Sequence, residues 1–160
     1  MRDPGAIVLC SLYALGRQPN GLASPAAFLG RAGHAPVCLD LAVQPLDDHA
    51  AAVLAGARLV AISVPMHTAL RLGVELAARV RAVNPTAHVC FYGLYAPLHA
   101  EHLRRAGADT ILGGEPEQAL VALADALAAG APAPDAPAPA PERPQPDLVT
   151  PPQGLPPPAA

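Results

Sequence analysis

The chain alternates short apolar runs with longer stretches whose apolar residues recur at helical spacing. The runs fall at 6–12, at PVCLDLAV, at RLVAISVPM, at AHVCFYGLY and at DTILGG. RLVAISVPM is nearly continuous in its hydrophobicity, as expected of a strand covered on both faces. Between the runs lie helical patterns. SPAAFLGRAG is expected to start at Ser24, whose hydroxyl would cap the free amides while Pro25 takes the tolerated first helical position. A second helix follows Asp47 or Asp48 as cap. The longest, TALRLGVELAARVRAV, opens at Thr68, with Leu70, Val74, Ala77, Ala78 and Val80 or Arg81 on mainly one face, and closes at Asn84-Pro85. PLHAEHLRRAG is expected as the fourth helix, and a fifth runs from Glu115 or Pro116 to Gly130. Five strand-then-helix units imply an α/β, doubly wound, five-stranded parallel sheet of the flavodoxin-like or Rossmann-like kind, in the order 2-1-3-4-5.

In such a sheet the ligand crevice lies outside the carboxyl ends of the strands. Three loops there stand out: SLYALGRQPNGL after the first strand, VPMHTA after the third and YGLYAPL after the fourth. From residue 131 onward the pattern ends. Twelve of the last 30 residues are Pro, interleaved with Ala, a composition that cannot build a core and reads as an extended linker. The expected division is a domain over 1–130 and a linker over 131–160, whose Leu148, Val149 and Leu155 are able to dock weakly on the domain.

Composition narrows the function. With 160 residues, 52% hydrophobic and 3% aromatic, the chain supports one aliphatic core. All ten basic residues are Arg and the net charge is -3. The longest basic cluster is Arg104-Arg105, far from the charged stripe that nucleic acid requires, so nucleic acid is excluded as a partner. No apolar run approaches the roughly 20 residues of a membrane span, and no secretory signal is evident, which leaves the cytoplasm as the expected location. Cys10, Cys38 and Cys90 are odd in number and widely spaced; they read as buried reduced thiols and not as a metal site.

The loops discriminate between ligands. A dinucleotide fold needs Gly-x-Gly-x-x-Gly after the first strand, whereas here that loop has glycines only at 16 and 21. A phosphoacceptor receiver needs an acidic pair and a Lys, and the chain has no Lys. Cobalamin-binding domains of this topology carry Asp-x-His-x-x-Gly after strand one, a Ser after strand three and glycines after strands four and five. Ser11, Tyr13 and Gly16 keep the first spacing with Asp and His replaced; Ser63, Gly93, Gly113 and Gly114 occupy the other places.

NPTAHVCFYGLYAP and GADTILGGEPEQAL are similar to the fourth and fifth units of the N-terminal B12-binding-like domains of radical SAM proteins. GRQPNGLASP, VPMHTA and YGLYAPL resemble the radical SAM (seleno)protein family named for its CUAEP or CCAEP tail, over about residues 6–130. The resemblance implies cobalamin as cofactor, loop glycines that let its nucleotide tail approach, and a radical SAM catalytic domain as partner. It also implies an accessory role, since the CxxxCxxC motif for an iron–sulfur cluster is absent from this chain. With Tyr13 at the place of the cobalt-ligating His, a bound corrinoid would lack a protein imidazole. A cofactor-free scaffold that positions substrate or the catalytic domain is the alternative.

Several residues have a plainer reading beside the functional one. Tyr13 is either a packed aromatic or a cofactor contact. His67 is either a solvated helix-start residue or a hydrogen-bond donor to a ligand amide or phosphate. Tyr92 and Tyr95 flank Gly93, and strand alternation leaves one for the core and Tyr95 for the crevice. Glu115 and Glu117 suit the dipole at the start of the last helix. His34, His49, His88, His99 and His102 read as ordinary surface or strand-edge groups. No Ser/His/Asp or Cys/His set can be assembled from sequence, so no turnover is expected from this chain alone.

Overall fold

The computed structural model describes residues 1–133. The strands are β1 (Ile7–Ser11), β2 (Pro36–Asp40), β3 (Leu59–Ser63), β4 (His88–Tyr92) and β5 (Thr110–Leu112). They alternate with α1 (Asn20–Arg31), α2 (Asp48–Gly56), α3 (His67–Val83), the short α4 (Tyr95–Leu98) and α5 (Ala100–Arg105), and α6 (Glu117–Ala128). All strand pairs are parallel and the order is β2-β1-β3-β4-β5, as the alternation of apolar runs implies. Among the described residues no helix is long and apolar enough to cross a membrane.

The strands bury both faces because their side chains alternate between two helical layers. Val8, Cys10, Val60, Ile62, Val89 and Phe91 face α2, α3 and Leu103 of α5. Ile7, Leu9, Leu59, Ala61, Cys90 and Tyr92 face α1 and α6. Gly73 lets α3 lie close on the sheet, since a Cβ there would stand 3.1 Å from both Ile62 and Phe91. The buried stripe of α3 is Ala69, Leu70, Gly73, Leu76, Ala77 and Val80.

Several local expectations change. The helix α1 begins at Asn20, four residues before Ser24, and Pro25 lies inside it. Ser24 is therefore no cap; its hydroxyl donates to Glu117 Oε1 at 2.7 Å and ties α1 to α6. Glu117 keeps its place in the first turn of α6, but no side chain caps that helix by a hydrogen bond. Asp47, of the two candidates, caps α2 by accepting from the Ala50 amide at 2.9 Å. The first residue of α3 is His67, after Met66, one residue ahead of Thr68. The fourth helix is split at His99 (φ -120, ψ 25).

Cys38 is exposed while Cys10 and Cys90 are buried, because β2 is an edge strand with a neighbour on one side only. His34 is no surface group: its side chain is 5% exposed and its Nε2 lies 2.9 Å from Asp125 Oδ1. Of the expected linker, only its first three residues are described, and Ala133 packs on the α1–α6 layer. Residues 134–160, with Leu148, Val149 and Leu155, lie outside the described residues.

Candidate functional site at the carboxyl edge

The parallel register aligns the last residues of neighbouring strands. Ser11 pairs with Asp40 and with Ser63, Ser63 with Tyr92, and Tyr92 with Leu112. Since Leu9, Ala61 and Cys90 face α1 and α6, alternation sends Ser11, Ser63 and Tyr92 to the same side. These three are 3%, 5% and 1% exposed, so a polar row lies buried beneath the first turn of α1.

Pro25 explains what that row does. A proline inside a helix removes the amide that would bond the carbonyl four residues back, which here is Gly21. The Tyr92 hydroxyl, arriving from β4, donates to that carbonyl at 2.5 Å. Ser63 sits against the same turn, because a Cβ at Gly21 would stand 2.5 Å from its Oγ. Burial holds the Tyr92 phenol well above its ordinary pKa; the nearby Cys10 and Cys90 thiols add to this, and a hydrogen bond from Ser63 opposes it. The phenol is thus a protonated donor.

The loops above this row divide into closed and open positions. Gly93 has φ +109, where an L side chain is strained, and its missing Cβ would lie 3.2 Å from the Val64 carbonyl oxygen. The backbones interlock there: the Val64 amide donates to Tyr92 O at 2.8 Å, the Gly93 amide to Leu112 O at 3.1 Å, and the Tyr95 amide to Val64 O at 3.1 Å. At Gly113 a Cβ would come within 2.4 Å of Pro97 Cγ, so α4 fills the space this glycine leaves. In contrast, nothing lies within 4 Å of the Cβ positions of Gly16 and Gly114.

In the loop after β1 and on the segment around α4, apolar side chains face solvent. Leu15 is 61%, Leu94 69% and Leu98 71% exposed. Leu15 also holds a left-handed backbone, φ 53, a conformation that costs a non-glycine residue about 1–2 kcal/mol. Tyr13 and Tyr95 are half-buried against the α2–α3 layer, and Tyr95 stacks on His99 with ring centroids 6.0 Å apart. Tyr92 is the core member of the tyrosine pair and Tyr95 the partly exposed one. His67 is exposed at the first position of α3.

The structure therefore joins Ser63 to Tyr92 and Gly21, and sets Ser11 beside Ser63, while Gly16 and Gly114 remain apart and open. Gly21, Pro25 and Pro97 were not legible as site residues, because each acts on a strand end distant in sequence. Among the described residues, a cleft of about 520 Å³ lies at the amino edge, lined by Arg58, Arg81, His88 and Asp109 among others. A smaller hollow of about 210 Å³ lies beside α3 just past the ends of β1 and β2, between Leu12, Leu41, Leu46 and Leu76. Neither is lined by an expected site residue. Among the described residues, no group of three or more His, Cys, Asp or Glu could hold a metal ion.

A doubly wound parallel sheet in the order β2-β1-β3-β4-β5 with helices on both faces is a flavodoxin-like α/β fold. The chain belongs to the B12 binding domain family, whose sequence pattern matches residues 9–124. No curated protein matches the sequence. Among solved structures, a pilus assembly-related protein from Burkholderia pseudomallei K96243 is similar, with a TM-score of 0.56 and 16% identity over 82% of this chain and 96% of that one. At that identity the likeness concerns the fold.

Membership of this family implies a corrinoid. Gly16 and Gly114 leave open space at their Cβ positions, and Leu15, Leu94 and Leu98 are exposed on segments of the same edge, which leaves room for a macrocycle there. The places assigned to its nucleotide tail suit it less, since Ser63, Gly93 and Gly113 are covered by Gly21, Val64 and Pro97.

Proposed function

We propose that this chain is the cobalamin-binding-like accessory domain of a radical SAM protein, carrying a corrinoid on its carboxyl edge and offering it to a separate catalytic domain. The observation that carries the reading is the match of residues 9–124 to the B12 binding domain family, together with exposed Leu15, Leu94 and Leu98 on segments at the carboxyl edge. When bound, a corrinoid supplies a cobalt centre able to hold an alkyl group. This chain's residues hold and orient it. Tyr13 stands in place of the imidazole that would otherwise reach the cobalt, so the corrinoid is held without a protein nitrogen ligand. Iron–sulfur chemistry and S-adenosylmethionine cleavage belong to the partner.

The cofactor-free scaffold is the second reading, favoured by the covering of Ser63 and Gly113 by the chain's own atoms. Mixing the purified chain with hydroxocobalamin, desalting and recording the visible spectrum separates the two. Co-elution of the corrinoid with the protein supports the carrier. Elution of colourless protein even at millimolar corrinoid supports the scaffold.

A further inference from the structure

The covered positions form one continuous seal. On one side, Tyr92 donates to the Gly21 carbonyl that Pro25 leaves without a helical donor, and Gly21 lies on Ser63. To part α1 from the strand ends, that bond must break in a partly buried setting, with no amide at Pro25 to replace it. On the other side, Pro97 fills the space over Gly113, and α4 is anchored by the Tyr95 amide on Val64 O and the Ala96 amide on Gly93 O. Ala96 beneath it is fully buried. The seal thus involves backbone as well as side chains, whereas Gly16 and Gly114 stay open above it.

We infer that this domain grips a corrinoid by its macrocycle alone and keeps the nucleotide tail outside the fold, so that it takes a tail-less corrinoid at least as well as complete cobalamin. This rests on the carrier reading above. A tail has no vacant seat between α1, the ends of β3 and β4, and α4, so it adds bulk without adding buried contacts.

The test is a visible-spectrum titration of the full chain with diaquacobinamide, which lacks the nucleotide tail, and with hydroxocobalamin. Cobinamide is expected to bind with equal or higher affinity. The exposed Pro97 permits a second arm: Pro97→Ala empties the space over Gly113 and should shift the affinity ratio toward cobalamin by about tenfold, equivalent to about 1.4 kcal/mol. Circular dichroism checks that the variant is folded. Cobalamin binding ten times or more tighter than cobinamide in the wild type overturns the inference and leaves the carrier reading standing. A ratio unmoved by Pro97→Ala overturns the seal as its cause. Binding of neither corrinoid overturns both.

Discussion

At the amino edge of the sheet, Arg81 and Asn84 close several loops onto backbone carbonyls; at the carboxyl edge, Tyr92 makes such a contact beneath segments that expose Leu15, Leu94 and Leu98. Arg81 of α3 donates to Pro85 O at 3.2 Å, Ala87 O at 2.6 Å, Gly107 O at 2.8 Å and Asp109 Oδ2 at 2.5 Å. Asp109 in turn accepts from the Val89 amide at 2.7 Å. Buried Asn84 donates to Leu54 O at 3.1 Å and Ala57 O at 2.7 Å, and His88 Nε2 meets Thr110 Oγ1 at 2.8 Å. Burial lowers the pKa of His88, which Asp109 opposes and Arg81 reinforces. The polar groups around the larger cleft are thus engaged in closing loops. Across the sheet, the corresponding loops leave Leu15, Leu94 and Leu98 bare and hold Leu15 in a left-handed backbone. The larger cleft thus lies at the edge whose polar groups close loops, while the candidate site lies at the other.

The largest effect should come from breaking the closed edge. Arg81→Ala leaves three loop carbonyls and the Asp109 carboxylate without this donor and should lower unfolding free energy by about 3 kcal/mol, read by urea denaturation. Corrinoid retention by the folded variant should not change. At the opposite edge, Gly113→Ala forces a methyl group into Pro97 and should cost about 2 kcal/mol. The same change in a Pro97→Ala background should cost much less, since the offending Cγ is gone. If Gly113→Ala is harmless to stability yet abolishes corrinoid binding, that space is a ligand seat and the comparison of edges must be redrawn.

Tyr92→Phe tests the seal more finely. It removes the donor to Gly21 and should cost about 1–2 kcal/mol. Pro25→Ala supplies the missing helical amide, so in that background the loss should shrink. Additive losses in this double-mutant cycle would show that Tyr92 and Pro25 do not serve the same carbonyl.

The smallest effect at neutral pH concerns the acids of the core. Burial raises the Cys10 pKa from 9.0 to about 12, and raises those of Cys90 and Tyr92 as well. Each fold-raised acid is neutral in the native state, while the unfolded chain sheds its proton first. Their contribution is therefore fully present below about pH 9 and is lost as pH climbs toward 12. Urea midpoints measured across that range should fall, and at neutral pH iodoacetamide should label Cys38 alone in the native protein. Labelling of Cys10 before unfolding would mean that the strand ends open.

The sheet was legible in the sequence because each strand, buried on both faces or paired at an edge, declares itself by a short apolar run between helical stretches. The strand-end positions of Ser11, Ser63 and Gly93 followed from that alternation. Other features were hidden for physical reasons. Pro25 reads as a first helical position because prolines favour that place, and only a tyrosine 67 residues further on makes its interior position tolerable. Cys38 looks like its buried counterparts because local pattern does not reveal which strand lies at an edge. The filling of Gly113 by Pro97 depends on how a four-residue helix settles on a neighbouring strand end, a tertiary contact with no periodic signature.

The contrast between the two edges is tested most directly by hydrogen exchange of the full chain with and without saturating diaquacobinamide. Exchange should slow in the carboxyl-edge segments 12–20, 64–68, 93–98 and 113–116, and stay unchanged at 57–58, 84–88 and 107–109 around the amino-edge cleft. Protection confined to the amino-edge segments would contradict this contrast.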